Sequence, residues 1–580
     1  MRNKKGFTLI ELLAVIIILA VIALIATPIV LNVIDNARKS ANKDSAYGLL
    51  DSAKLYYMES LLDESKSLSG NLIYKINVSG RKPDSGTVYI NNKGEIALAV
   101  VYDKVCFTKN YEDTDLTESD DIENCKVSIV YKDNILNGAD PELDESMIPI
   151  VINQDGSVSK ADTRLDWYDY TEKRWANVVL VSDESRSKYT NATAGTPIEV
   201  EDIKAYYVWI PRYKYQIFTD VNNLETVGNI TDVSTYNNKA QIINVVFENN
   251  TSEKSTGTTK DSWLTHPAFT FGDKELNGIW VGKFETTGTE SVPTVLPYTS
   301  ENIQQSLISQ NVSTQFATSQ KINYGITSLE ASMLKNSEWG AVAYLTASIY
   351  GQGTEEVMIN NSEYFYTGCA ATVAPTATSG GYTSQTGGSE GSYAGCENEW
   401  YTTNGQKAST TGTMYGVYDM SGGALEYVMG VMEDSLGSGV ALSGRNNNYN
   451  SGFTGNLGCP ICEASSGNDS SITSITGVSF PESKYYDIYT YDTSSTVYAN
   501  RGHLGDATYE LDEFTNWKDP DESTRYHSGW NKDYALFVNA SYPWFVRGGA
   551  WYDGASAGVF AFIDTRGSAH SGISFRSVLR

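Results

Sequence analysis

Residues 1–28 read MRNKKGFTLIELLAVIIILAVIALIATP. A short basic leader (Arg2, Lys4, Lys5) precedes Gly6-Phe7, then Thr8-Leu9-Ile10-Glu11, then an apolar run from Leu12 to Leu31 that is interrupted by Pro28. A run of this length is enough to cross the ~30 Å hydrocarbon core of a bilayer. Glu11 is the anomaly. A carboxylate at the centre of a membrane helix costs about 2.5–3.5 kcal/mol, so a retained one points to function and to a partner. A secretory signal peptide has a shorter apolar core with a small-residue cleavage site behind it, and a plain anchor has no reason to keep Glu11. Beyond the apolar run, Ala41, Ala46, Leu49, Leu50, Ala53, Tyr56 and Tyr57 recur mostly at spacings of three and four between charged residues, which is a helical stripe. The pattern predicts one helix from Phe7 to about Leu62, roughly 80 Å long at 1.5 Å per residue. Its first half belongs in a membrane or among identical helices, and its second half under a globular domain.

The leader, the Gly6-Phe7 junction and Glu11 together resemble the class III signal of type IV pilins and pseudopilins. The resemblance implies cleavage after Gly6 by a membrane prepilin peptidase and methylation of the new amine on Phe7. It also implies assembly through Glu11, fifth from Phe7, which would meet the free amine of a neighbouring subunit, and a helix kink at Pro28.

At 580 residues the chain is too long for one small core and predicts two or more domains. A typical pilin is far shorter, so most of the chain is cargo on a pilin stem. A formal charge of −27 argues against nucleic acid or anionic lipid surfaces as partners and suits a body facing outward. Six cysteines form three local pairs, Cys106/Cys125, Cys369/Cys396 and Cys459/Cys462. In a translocated protein an even count reads as disulfides. Cys459-Pro-Ile-Cys462 lacks a second CxxC and the four histidines are scattered, so no metal site and no cofactor is expected.

The stem, residues 7–64 after a leader of 1–6, is followed by a globular domain at 65–135. There Thr87–Ile90, a turn at Asn91–Gly94 and Glu95–Tyr102 read as a hairpin, with Val105–Thr108 as a further strand and Cys106/Cys125 closing an acidic loop. Residues 136–195 read as a small β connector carrying Trp167 and Trp175. The expected fold class is α+β: a long N-terminal helix with a small antiparallel sheet, then a β-rich body at 196–580.

Several segments of that body resemble one family. Tyr207–Tyr213 and Ile279–Glu285 look like its early strands, Leu334–Tyr344 like its short helix, Tyr415–Val428 like its Tyr-Asp-Met segment, and Val546–Trp551 with Ser574–Arg576 like its closing Arg-Gly-Gly and Phe-Arg motifs. This is the formylglycine-generating-enzyme-like (sulfatase-modifying-factor) variant of the C-type lectin fold, here with family-foreign insertions near 287–322, 362–412 and 434–500. The family's oxidases carry two copper-binding cysteines between the Arg-Gly-Gly and Phe-Arg motifs. Residues 547–580 contain no cysteine, and a soft-metal site needs thiolates, so no catalytic residues are expected. Asp419, Glu426 and Arg547 read as structural polar groups.

The closing segment, Arg547-GGAWYDGASAGVFAFIDTRGSAHSGISF-Arg576, is similar to the variable segment of proteins diversified by retroelements. Such templates place asparagine codons between fixed glycines and aromatics. At those places this chain carries Ala550, Tyr552, Asp553, Ser556, Ile563, Asp564, Thr565, Arg566, Ser568, His570, Gly572 and Ile573, all types reachable from AAC by changing its first two bases. The resemblance implies that they form a ligand surface with Trp551, Phe560 and Phe575 holding it from beneath. The expected function is a surface-displayed, pilin-like adhesin, anchored in the membrane before assembly into an extracellular pilus. Its partners are prepilin peptidase, like or unlike pilin subunits, and an extracellular protein or glycan. The alternatives are a structural pilus subunit without a ligand site or, least favoured, a surface oxidase of the formylglycine-generating type.

Overall fold

A computed structural model describes residues 9–60, most of 72–127, 140–217 except 164–166, 242–257, 262–372, 395–432, 451–454, 478–493, 503–508, 517–518, 526–527, 533–539 and 542–580. The chain divides after Tyr131 into two compact units, and it is α+β.

In the first unit α1 spans Leu9–Ser60. Its apolar part is uncovered in the single chain: Leu9, Ile10, Leu12, Leu13 and Ile16 to Leu19 are 54–84 % exposed. Among the described residues no helix is long and apolar enough to cross a membrane. Further along, Ala46, Leu49, Leu50, Ala53 and Tyr56 are buried. That stripe packs on an antiparallel sheet of β1 (Ser85–Ile90), β2 (Ile96–Tyr102), β3 (Val105–Lys109) and β4 (Thr117–Ser119), in that order. The β1–β2 register runs from Ser85↔Val101 to Ile90↔Ile96, so Val88, Ile90, Ile96, Leu98 and Val100 face the helix from one side of the pleat. Cys106 and Cys125 are disulfide-bonded with Cα atoms 5.5 Å apart.

In chain order the second unit contains β5 (Ile148–Ile152), β6 (Val158–Lys160), β7 (Asn177–Val181), α2 (Asp183–Thr190), β8 (Pro197–Ile198), β9 (Ile203–Pro211), β10 (Gly278–Gly282), α3 (Val312–Ser319), β11 (Ala331–Met333), α4 (Asn336–Thr346), β12 (Leu425–Met432), β13 (Asp487–Tyr489), β14 (Trp544–Gly548), β15 (Gly558–Thr565), β16 (Ile573–Phe575) and β17 (Ser577–Leu579), with shorter strands between them. An eight-stranded antiparallel sheet has the order β11-β17-β10-β9-β7-β5-β6-β8. A second sheet has the order β13-β12-β14-β15, with β16 also paired to β12.

Residues 136–195 were expected to stand apart as a connector, and the structure corrects this. β5 to β7 extend the main sheet through β7–β9 pairing. Trp175 is fully buried and donates its indole N–H to the Tyr350 carbonyl at 2.9 Å. Apolar runs such as Val178–Val181 are covered on both faces, so they belong in the middle of a large core rather than in a small module. The segment 287–322, read as an insertion, supplies α3, whose Val312 and Phe316 are buried against β12 and β14 residues. Cys369–Cys396 is a disulfide. Cys459 and Cys462 lie outside the described residues.

Candidate functional site

The candidate surface rests on a strand pair with a core on each face. β14 and β15 pair antiparallel from Trp544↔Thr565 through Phe545↔Asp564 and Val546↔Ile563 to Arg547↔Phe562. Side chains alternate across the sheet. Phe545, Phe560 and Phe562 enter the main core, while Trp544 and Val546 join Tyr427, Met429, Ile573 and Phe575 in a second one, with Ile563 packed on its margin. Past β15 the chain reverses at Gly567, φ +80°, where a Cβ would lie 2.6 Å from the Trp544 ring. Only glycine fits that turn.

The segment sorts by burial into frame and face. Phe560, Phe562, Phe575, Ser574 and Arg576 are fully buried. Tyr552, Asp553, Thr565, Arg566, Ser568 and Gly572 are half-buried and His570 is exposed. Three expected face residues do not belong to it: Ala550, Ser556 and Ile573 are 2, 7 and 4 % exposed. Ser556 is the last residue of a short 3-10 turn and its carbonyl accepts from the Tyr534 N–H; Ile573 pairs with Leu425 in β16. The period of two also places Ile563 and Asp564 on opposite faces, so Ile563 lies over the second core. Asp564 instead accepts a hydrogen bond from the Asn539 amide, and burial raises its carboxyl to about 7. Trp551, expected beneath the surface, is half-buried and stands edge-on to Tyr552 at 5.2 Å.

Local hydrogen bonds fix what remains. Asp553 accepts from the Ala550 N–H at 2.7 Å, which tightens the turn below Tyr552. The Arg566 guanidinium lies 4.8 Å over the Tyr542 ring and donates to its hydroxyl at 3.0 Å. Tyr427 donates to the Ser568 carbonyl at 2.8 Å, and His570 Nδ1 accepts from the Gly572 N–H at 3.1 Å.

An aromatic ledge adjoins this surface that sequence reasoning missed. Tyr298 and Tyr366 stack at 4.4 Å, Tyr364 lies 5.5 Å from Tyr366 and is 45 % exposed, and Phe365 borders Gly572. A backbone relay makes the surface continuous: Trp551 N–H donates to Gly423 O, Gly423 N–H to Asn360 O, and Leu425 N–H to Gly572 O, while the Asn360 amide donates to Tyr366 O. The signal was three consecutive aromatics, Tyr364-Phe365-Tyr366, in a stretch set aside as an insertion.

Beneath the face lies a buried polar cluster that includes Asp419, Glu426 and Arg576. Arg576 donates to both carboxylate oxygens of Glu426, to Gly282 O and to Tyr418 O, the last two at 2.8 Å. Asp419 accepts from the Asn360 amide and the Gly368 N–H, each at 2.8 Å, and Glu285 accepts from Ala424 N–H at 3.1 Å. Burial raises all three carboxyls. Arg576 opposes the rise at all three, while the charges of Glu426 and Asp419 add to it at Glu285 and the charge of Asp419 adds to it at Glu426. Arg547 is also fully buried, between the Trp339 and Phe562 rings at 5.7 and 5.5 Å, and burial lowers it to about 10.

The sign of the resulting pH dependence follows. A carboxyl raised in the folded state binds more protons there than in the unfolded chain, so its contribution is present below the unfolded value and is lost as pH rises toward the folded one. Asp202, lowered to about 2 by hydrogen bonds from Ser185 and Tyr189, works in the opposite sense but only at acid pH, and the buried His266, lowered to about 3 by desolvation, opposes the loss only until its unfolded-state value near 6.5 is passed. The second unit should lose about 1–3 kcal/mol between pH 5.5 and 8. Glu426 and Asp564, each raised to about 7, share that loss with Glu285, so Glu285→Gln should flatten part of the profile, which calorimetry at the two pH values checks; an unchanged slope would assign the loss to the other carboxyls.

Gly6 and Phe7 lie outside the described residues, as does the Glu11 side chain. A family model of the prokaryotic N-terminal methylation motif matches residues 1–27, and no curated protein matches the chain. The motif implies a membrane-anchored precursor that prepilin peptidase processes and that assembles with other pilins into a surface pilus.

Proposed function

We propose that this chain is a pilin-like adhesin whose second unit, a lectin-type head, binds an extracellular protein or glycan without chemical conversion. The observation that carries the reading is the division within residues 547–576: a fully buried frame of Phe560, Phe562, Phe575 and Arg576 carries side chains at Tyr552, Asp553, Thr565, Arg566, Ser568 and His570 that keep solvent contact. A rigid frame with interchangeable residues between its fixed points is how binding loops are presented on stable scaffolds. Tyr364 and Tyr366 extend the face. Diversification by a retroelement accounts for the residue types between the fixed positions, and the coding DNA near this segment would then have a near-identical, adenine-rich template beside a reverse transcriptase gene.

Tyr552 and Arg566 are the anchors, since tyrosine and arginine are the types that most often dominate binding energy. The double variant Tyr552→Ala, Arg566→Ala should weaken binding by about 2–4 kcal/mol while the melting temperature stays nearly constant. An array of extracellular proteins and glycans probed with full-length wild type and variant measures the first quantity, and thermal unfolding the second. Equal binding by both proteins removes the adhesin site, and matched losses of binding and melting temperature reassign these residues to the fold.

A further inference from the structure

Lys283 is a fully buried amine that the ligand face does not use. It directly follows β10, and its backbone N–H donates to the Tyr206 carbonyl of β9 at 2.9 Å. On the other side of β9, Asn177 opens β7 and is 1 % exposed. Asn177, Val208 and Val281 form one row of the sheet. Lys283 lies two residues beyond Val281, so the period of two sends both side chains to the same face. There Lys283 Nζ donates to Asn177 Oδ1 at 2.8 Å, and to the carbonyls of Met414 and Gly416 at 2.6 and 2.9 Å. The Asn177 amide nitrogen donates to the carbonyls of Trp175 and Tyr415, each at 2.9 Å, which holds Oδ1 toward the amine. The Trp400 and Tyr418 rings cover Nζ at 5.7 and 5.4 Å. Its hydrogen-bond partners are neutral oxygens, and burial pushes the ammonium well below the usual lysine range, toward the neutral, nucleophilic amine.

We propose that Lys283 and Asn177 join in an isopeptide bond that ties the start of β7 to the end of β10 across β9. With Oδ1 at 2.8 Å and a C=O length of about 1.2 Å, Cγ of Asn177 lies within about 4 Å of Nζ, near the separation from which reacting atoms meet. The Nζ lone pair attacks Cγ, and the Nζ–Cγ bond forms. One proton passes from Nζ to Nδ2, the Cγ–Nδ2 bond breaks, and ammonia leaves. No oxidant, reductant or second reactant is consumed. Holding amine and amide side by side replaces the encounter of two free groups, and the ring cover keeps out water that would compete for Cγ. The bond closes residues 177–283 into a loop. It would keep the centre of the main sheet together under tension, whatever the second unit binds.

The test is peptide mapping by tandem mass spectrometry on the full-length chain, folded, then denatured, reduced and digested. Wild type should yield a branched peptide joining Asn177 to Lys283, about 17 Da lighter than its two linear parts because one ammonia has left. Lys283→Arg, which keeps a cation in place but removes the amine, should yield no branched peptide, and neither should Asn177→Ala. Wild type decides the matter even if neither variant folds. Linear peptides of full mass from wild type would overturn the proposal and leave Lys283 as an ammonium held by three oxygens. Loss of ammonia confined to the Asn177 peptide would be cyclisation onto its own backbone and would overturn it too. A branched peptide that persists in Lys283→Arg would assign the link to another amine, with the same consequence.

Discussion

Replacing Arg576 with alanine should unfold the second unit or destabilise it by about 3–5 kcal/mol, the cost of breaking a buried ion pair by removing one partner. Arg576 is the single residue between β16, which pairs in the smaller sheet, and β17, which pairs between β10 and β11 in the larger one. Its guanidinium joins Glu426 to the carbonyls of Gly282 and Tyr418, one at the end of β10 and the other beside Asp419. Alanine would leave Glu426, Asp419 and Glu285 together in a buried space without the guanidinium that opposes their charge. Lysine should not rescue the fold, because a point charge cannot reproduce the planar fork that serves a carboxylate and two carbonyls at once. Thermal unfolding of the full-length variants and protease sensitivity of the C-terminal strands measure the loss. A melting temperature close to wild type for Arg576→Ala would mean that the sheets are held elsewhere.

Which parts of this architecture were legible in the sequence follows from the range of the interactions. The stripe at Ala46, Leu49, Leu50 and Ala53 and the hairpin closing at Ile90↔Ile96 depend on neighbours in the chain, so periodicity and turn chemistry reveal them. Cys106 and Cys369 find partners within 27 positions, again a local event. The membership of β5 to β7 in the main sheet was not legible, because pairing with β9 is a long-range choice and a short apolar strand reads alike in a module or in a core. The same limit explains the face. Alternation says that Ile563 and Asp564 point opposite ways, yet only the second core, built from α3, β12 and β16, shows that both sides of this sheet are covered. Ala550 and Ile573 occupy positions between fixed residues as Tyr552 does, and the burial of Ile573 is decided by its pairing with Leu425, more than a hundred residues away.

Glu11→Leu should insert into the membrane as well as wild type or better, and yet fail to assemble. Leucine removes the roughly 2.5–3.5 kcal/mol that a carboxylate costs in a membrane helix, so any defect cannot come from insertion. The loss should come from the subunit contact, where the carboxylate's proposed partner is the methylated Phe7 amine of a neighbour and where pairing makes a desolvated charge tolerable. The helix itself gives the reason that neighbours are needed: Leu9, Ile10, Leu12, Leu13 and Ile16 to Leu19 are all more than half exposed in the single chain, and a helix apolar on all sides must be covered by lipid or by other helices. In a bundle of such helices, apolar contact is nearly indifferent to axial register, because one isoleucine packs much like another. A single buried ion pair near the N-terminus would set that register. The expected result is normal membrane levels of the Leu variant with pili absent from sheared surface fractions, and Glu11→Asp, which keeps the charge on a shorter arm, should recover part of the assembly. Normal pili from Glu11→Leu would show that the apolar surface alone aligns the subunits and that Glu11 serves another purpose.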